Sequence, residues 1–532
     1  MGPIQSIRGN ALRTCSSSLS TTKPAAAGFV APASLRLVAD AQRQHYNVTL
    51  AILTIAGTAY ALQQTMVIPA LPTLQRELNT TTTWVTWVLT ILLLVASVST
   101  PIFGKLGDQY GKGRLLVISL VLFFIGCVGA AAAWNIWVLI FFRAVQGLGA
   151  AVFPLSFGII RDEFPPEKVG VGIGLISAVF GVGGGFGIVF SGLIVDNLSW
   201  RWLFIFGAIP VAIAAYAVHR FVPESPIRTP GRVDFLGATL LSAGLVCLLL
   251  ALTEGESWGW TSARVGGLFI GAAVLLASWV IAELTVPEPM VDMHVFVQRQ
   301  VLFTNICALI TGFAMFGTFV LIPNFVEAPR GLTAETARLI DYGFNATVTK
   351  AGLYLLPSSF ALLFAGPAAG LIGRRTGSKW PLAAGMALAG ISAGMLALWN
   401  EHPWQILLAM PVLGTGVGFA FAAMATLITE AVRPTETGVA TGMNTVMRTV
   451  GGVIGGEVGA AILTAHTIGG TSVPSARGYE VAFSIAAVAA FVGVVAALLV
   501  TPTRRRVESV RLRLPGEPST SEARSRLDDT PA

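Results

Sequence analysis

Three charged side chains stand deep in otherwise apolar stretches of this chain: Arg143, Arg448 and Glu457. An ionised group near the centre of a hydrocarbon layer costs about 2.5 kcal/mol or more, so each is a candidate for function. Gln146 follows Arg143 by three residues, and Asn444 precedes Arg448 by one turn. Nine positions separate Arg448 from Glu457, about 13 Å along a helix and half a turn around it, so they cannot pair directly. A carboxyl removed from water favours its neutral form, the property a reversible proton carrier needs. Glu457 is therefore expected to take up and release a proton. A neutral Glu hydrogen-bonded between helices fits the same position.

Only a membrane-spanning architecture accommodates such residues here. Of the 532 residues, 54% are hydrophobic and 11% charged, which fits no soluble class. A span needs about 20 mostly apolar residues. Runs of that kind lie at 48–70, 84–103, 115–133, 137–159, 171–195, 202–222, 235–252, 265–285, 301–326, 350–372, 380–399, 404–427, 437–463 and 480–501. Fourteen is even, so both ends lie on one side. The six short connections on that side carry thirteen Lys and Arg residues, the seven opposite loops carry seven, and the tails carry twelve. Positive residues are retained inside, so both termini are expected in the cytoplasm, in a plasma membrane. The net charge of +7 then orients the chain and meets anionic lipid heads, and no nucleic-acid partner is expected.

The chain repeats itself. GKLGDQYGKGR from Gly104 resembles GLIGRRTGSK from Gly370, a shift of 266 residues; PEKVGVGIG from Pro166 resembles PTETGVATG from Pro434, a shift of 268. Nearly equal offsets at equivalent helix ends indicate a duplication. The expected organisation is a tail at 1–46, a six-helix bundle at 47–222, a two-helix insert with linkers at 223–299, a second bundle at 300–501 and a disordered tail at 502–532. A transit peptide, a disordered tail and a start codon placed too early all fit residues 1–45, which hold no acidic residue before Asp40. Parallel repeats suit alternating access, with substrate bound between the halves near the midplane.

These features resemble the major facilitator superfamily, and within it the fourteen-helix drug:proton antiporter branch, over residues 47–501. GKLGDQYGKGR is similar to the signature loop between helices two and three, and RAVQGLGAA at Arg143 to the helix-four motif. VIPALP at Val67, DNLSWRW at Asp196 and GRVDFLGA at Gly231 resemble further segments of the branch. The resemblance implies an all-α integral membrane fold of two pseudo-symmetric six-helix bundles plus two inserted helices. It also implies proton-coupled efflux of small amphipathic compounds, and a positive field from Arg143 that eases proton release. A monomer is expected, with no cofactor and no metal.

Within the signature loop, Gly104, Gly107 and Gly111 allow a tight reversal, Asp108 can accept from helix-start amides, and Lys105, Lys112 and Arg114 supply cations. Such contacts would latch one side; Arg374 stands where the second copy would need an acid. In GVGGGFGIVFSG, residues 181–192, glycines sort into two stripes. Gly174, Ala178, Gly181, Gly185 and Gly192 fall on one line, with Gly172, Gly183 and Gly187 roughly opposite, so this helix can approach partners on two sides. The branch's proline position there is Ile188, followed by Ser191 and Gly192, so the hydrogen-bond ladder can run on. Gln63 and Gln64 occupy the first helix, where many relatives carry an acid. An amide binds substrate but carries no proton. Antiport, symport and uniport stay open.

The expected cavity residues are Gln63, Gln64, Gln146, Asn444, Phe313 and Phe316, an aromatic lining for flat, apolar or cationic solutes. Phe303 and Phe319 share the ninth span with Phe313 and Phe316, and Phe180, Phe186 and Phe190 lie on the fifth. Enzyme readings find little footing. GISAG at Gly390 matches a hydrolase pattern but lies in an apolar helix, and neither GxxxxGK[ST] nor HExxH occurs. An importer of one metabolite and a transporter-like sensor are the remaining alternatives.

Overall fold

The computed structural model describes residues 46–225, 234–328, 342–468 and 473–501, and at 82, 83, 180, 182, 184, 185, 196, 316, 320 and 348 the backbone alone. Of the expected tails, 1–45 and 502–532 lie outside this description, as do Gly231, the side chains of Phe180 and Phe316, and the surroundings of Gly185. Every described element of any length is helical.

The elements are α1 (Tyr46–Thr65), α2 (Thr82–Tyr110), α3 (Lys112–Ala131), α4 (Ile136–Leu148), α5 (Val152–Glu163), α6 (Pro166–Asn197) and α7 (Arg201–Phe221). The insert supplies α8 (Phe235–Thr253) and α9 (Ala263–Thr285). Then follow α10 (Arg299–Glu327), α11 (Val348–Thr376), α12 (Lys379–Leu398), α13 (Pro403–Ala431), α14 (Thr437–Ala465) and α15 (Ala476–Leu499). Thirteen described stretches are long and apolar enough to span a bilayer, and the 32-residue α6 joins them. Helix starts are marked by side-chain caps: Asn135 Oδ1 accepts from Val138 N at 2.9 Å, and Asp234 Oδ1 from Gly237 N at 2.8 Å.

Two expectations about local structure are corrected. The run 104–110 is not a loop: α2 continues to Tyr110, and the reversal is confined to Gly111, whose φ of 116° suits glycine. Gly104 and Gly107 are helical, and their bareness serves packing. A methyl on Gly104 would strike the Gly438 carbonyl, and one on Gly107 the Leu155 side chain. The fourth run is two helices, broken at 149–151, where Gly149 lies against Phe123 and the Ser119 carbonyl.

The duplication reappears in three dimensions. Gly377, with φ 89°, turns the chain after α11 as Gly111 does after α2. Leu53, Leu116, Phe123 and Phe153 belong to a core of the first half, and Leu382, Met386, Leu413 and Leu427 to one of the second. The insert packs Leu241, Leu245 and Trp279 onto Val439, Met443 and Val450 of α14. Large apolar side chains stay on the outside, among them Phe141, Tyr216, Phe235, Ile270, Phe364 and Val488. Such a surface belongs in lipid, and the chain is an integral membrane protein.

Candidate functional site

Helix α6 meets both halves through its two glycine stripes. Gly174 faces the backbone of Gly366, Gly181 the Leu362 side chain and Gly192 the Thr349 hydroxyl, all on α11 of the other half. On the opposite side Gly183 faces the Ala61 carbonyl and Gly187 the Thr65 hydroxyl, both on α1, and Thr65 Oγ1 donates to the Gly183 carbonyl. The helix passes Ile188 as one unbroken element.

The duplicated counterpart of this seam joins α2 to α14. Gly104 touches Gly438 there as Gly370 touches Gly170 on the other seam, and Gly442 packs on Pro101. Here charges are added. Asp108 Oδ1 accepts from Gly438 N at 3.2 Å and Oδ2 from Val439 N at 3.1 Å, at the start of α14. A carboxylate at a helix N-terminus meets unsatisfied amides and the positive dipole end. Lys112, fully buried, places Nζ 2.6 Å from Asp162 Oδ2, 3.4 Å from Asp108 Oδ1 and 3.3 Å from the Pro434 carbonyl. Ser225 Oγ also donates to Asp162 Oδ2 at 2.6 Å. Arg161 reaches across to Thr437 Oγ1 at 2.6 Å and to the Val432 carbonyl at 2.7 Å, past the end of α13. Arg114 is exposed beside Glu224, which itself accepts from Gly113 N and Arg114 N at the start of α3. Arg374 is exposed.

Lys105 turns the other way, donating to the Pro289 carbonyl in the insert's exit linker at 2.9 Å. That linker is held by Glu283, whose Oε2 accepts from Val291 N at 3.0 Å and whose Oε1 accepts from Trp279 Nε1 at 2.8 Å. Beside it lies a cavity of about 370 Å³ lined by Lys105, Asp292, Arg433 and Met443, at the Asp108 end of the seam and not at mid-depth. The hydrogen bond that Arg433 donates to the Glu436 carboxylate raises the Arg433 pKa above its ordinary value.

At mid-depth the halves enclose a narrower cavity of about 40 Å³, lined by Tyr60, Gln64, Ser97, Phe153, Met315, Thr445, Arg448 and Thr449, among others. It is the smaller of the two, but it sits between both halves, where alternating access needs a binding site. Arg448 also places its guanidinium 4.4 Å from the Phe421 ring centroid. Of the expected cavity residues, Gln64 is in the lining. Gln63 is buried towards Gly207 of α7, and Phe313 packs its backbone on Gly455. Asn444 Nδ2 donates to Asn305 Oδ1 at 2.9 Å. Gln146 accepts from Arg143 Nη1 at 2.7 Å and donates to Cys127 Sγ at 3.2 Å, while Arg143 Nε donates to the Val88 carbonyl at 2.9 Å. Glu457 stands on the α14 face towards the insert, within electrostatic reach of Glu254 and Glu256. Tyr60 and Asp162 were not singled out by sequence. Asp162 follows a span directly, a position shared by many charges that only set topology.

The sequence profile of the Major Facilitator Superfamily matches residues 53–456 and 304–527. The chain is 31% identical over 359 residues to Multidrug resistance protein 3 of Bacillus subtilis, a match covering 65% of this chain and 66% of that protein. It is 26% identical over 380 residues to the Tetracenomycin C resistance and export protein of Streptomyces glaucescens, covering 70% of this chain and 68% of that one. An uncharacterized MFS-type transporter of Mycobacterium tuberculosis is 30% identical over 403 residues, which span 56% of its length. The crystal structure of a human organic anion transporter superposes with a TM-score of 0.60 at 12% identity, covering 86% of this chain and all of the other, a likeness of fold.

Proposed function

Because this chain belongs to the major facilitator superfamily, we propose that it is a secondary active transporter, not an enzyme, that expels small amphipathic compounds of the multidrug or antibiotic type in exchange for protons. The observation that carries the reading is the mid-depth cavity shared by both halves, sealed at one end by Asp108 on the start of α14. In this reading the sealed end is cytoplasmic, with both termini on that side of a plasma membrane and the protein acting as a monomer. The contacts of Asp108, Lys112 and Arg161 latch the outward-open side of the cycle. Their release, with α6 sliding on α11, opens the cavity inward. Glu457, on the α14 face towards the insert, takes and gives up the coupling proton, and Arg143 and Arg448 supply a positive field on the cavity side.

A uniporter or importer of one metabolite is the second reading. It is favoured by the absence of any carboxylate among the described cavity-lining residues and by the unbroken course of α6 past Ile188.

Proteoliposomes with an imposed pH gradient separate the two. Exchange predicts gradient-driven accumulation of several unrelated compounds, abolished in Glu457→Gln. Transport of one solute, indifferent to the gradient and to Glu457→Gln, would establish the second reading.

A further inference from the structure

We propose that the mid-depth cavity selects organic anions, in place of the cationic solutes that its aromatic neighbours suggest. This rests on the transport reading and narrows its substrates. Arg448 supplies the formal charge of the cavity wall, and no carboxylate stands among the described residues lining it. Arg448 is 8% exposed and its guanidinium lies on the Phe421 ring, so its position is set by packing before any ligand arrives.

A second cation stands behind it. Tyr60, in the lining, is within electrostatic reach of both Arg448 and Arg143. Arg143 is fully buried, and its Nη2 finds no hydrogen-bond partner among the described residues. The hydroxyls of Ser97, Thr100, Thr445 and Thr449 donate to carbonyls of their own helices. Beside them the wall presents the Arg448 guanidinium, the Tyr60 hydroxyl and the Gln64 amide to a ligand. A cation entering here would meet like charge in a low-dielectric wall, whereas a sulfonate or carboxylate would gain a charge-assisted hydrogen bond. The acid that could have reversed this, Glu457, faces the insert. In this conformation the cavity's 40 Å³ has room for water alone, so an organic anion enters when the halves part.

The test uses the full chain, purified and reconstituted, with two probes that share one ring system and carry permanent opposite charges: naphthalene-2-sulfonate and 2-naphthyltrimethylammonium. The sulfonate should bind at least about tenfold more tightly, and Arg448→Gln should lose about tenfold of that affinity while Arg448→Lys keeps most of it, as loss of a charge-assisted bond predicts. Equal or better binding of the ammonium, or binding of neither probe, would overturn the proposal. So would undiminished sulfonate binding by Arg448→Gln with unchanged thermal unfolding. If Arg448→Gln does not fold, the two probes on the parent protein decide. Sulfonate that binds but never crosses leaves the anion site standing and removes the transport reading; ammonium that crosses while sulfonate does not bind does the reverse.

Discussion

Two seams join the halves, and the duplication relates them: α6 against α11, and α2 against α14. Along the first, small residues run from Gly170 to Gly192 and meet Gly370, Gly366, Leu362 and Thr349 of the partner helix. Along the second, the glycine contact is confined to the latched end, at Gly104, Gly438 and Gly442. Beyond it the helices part around Arg448 and the cavity, and Asp108 crosses between them. The position equivalent to Asp108 on the first seam is Arg374, which is exposed. In the proposed cycle the first seam is a smooth sliding contact and the second a charged closure. Backbone approach along a glycine stripe allows a helix to shift without breaking a directional bond, while a carboxylate on helix-start amides holds one position or releases it.

The largest effect is expected on the charged seam. Lys112→Met leaves Asp162 and Asp108 buried without their cation, at a cost of about 3–5 kcal/mol. Thermal unfolding of the purified protein should fall accordingly, and a parental melting temperature would mean that the buried network holds little. On the smooth seam, Gly174→Leu drives a side chain into the Gly366 backbone, with overpacking costs of about 1–3 kcal/mol. Transport should fall more steeply than stability, because the halves stay folded but no longer approach. Equal loss of both would make the stripe an ordinary packing surface. The smallest effect belongs to Arg374→Ala: an exposed charge with no partner among the described residues should change stability by less than about 0.5 kcal/mol. A loss like that of Lys112→Met would erase the asymmetry between the seams.

Much of this was legible in the sequence, for physical reasons. Hydrocarbon length requirements mark the helices, and backbone constraints mark Gly111 and Gly377, the turns that realise the 266-residue repeat. Helical periodicity sorted the glycines of α6 onto two faces; one meets α11, and the other meets α1 at Gly183 and Gly187 but Ile160 of α5 at Gly172. Other features were hidden because their meaning depends on distant chain. Gly104 looks like a turn residue until Gly438 is seen against it. Asp108 finds its amides 330 and 331 positions away, and Asp162 meets Lys112 across 50. Gln63 and Gln64 are neighbours in sequence, yet a rotation of 100° per residue sends one towards α7 and the other into the cavity. Glu457 and Arg448 were separable by the same arithmetic, but which face met the insert was not.

The central claim is that the two halves rock about the mid-depth cavity, closing one end as the other opens. Spin labels at Tyr110 and Thr435 report the latched end, and labels at Thr80 and Thr464 the opposite end, in a chain freed of its native cysteines. Asp108→Asn should lengthen the first distance and shorten the second in the same molecules. Two distances that stay fixed, or lengthen together, would contradict the account.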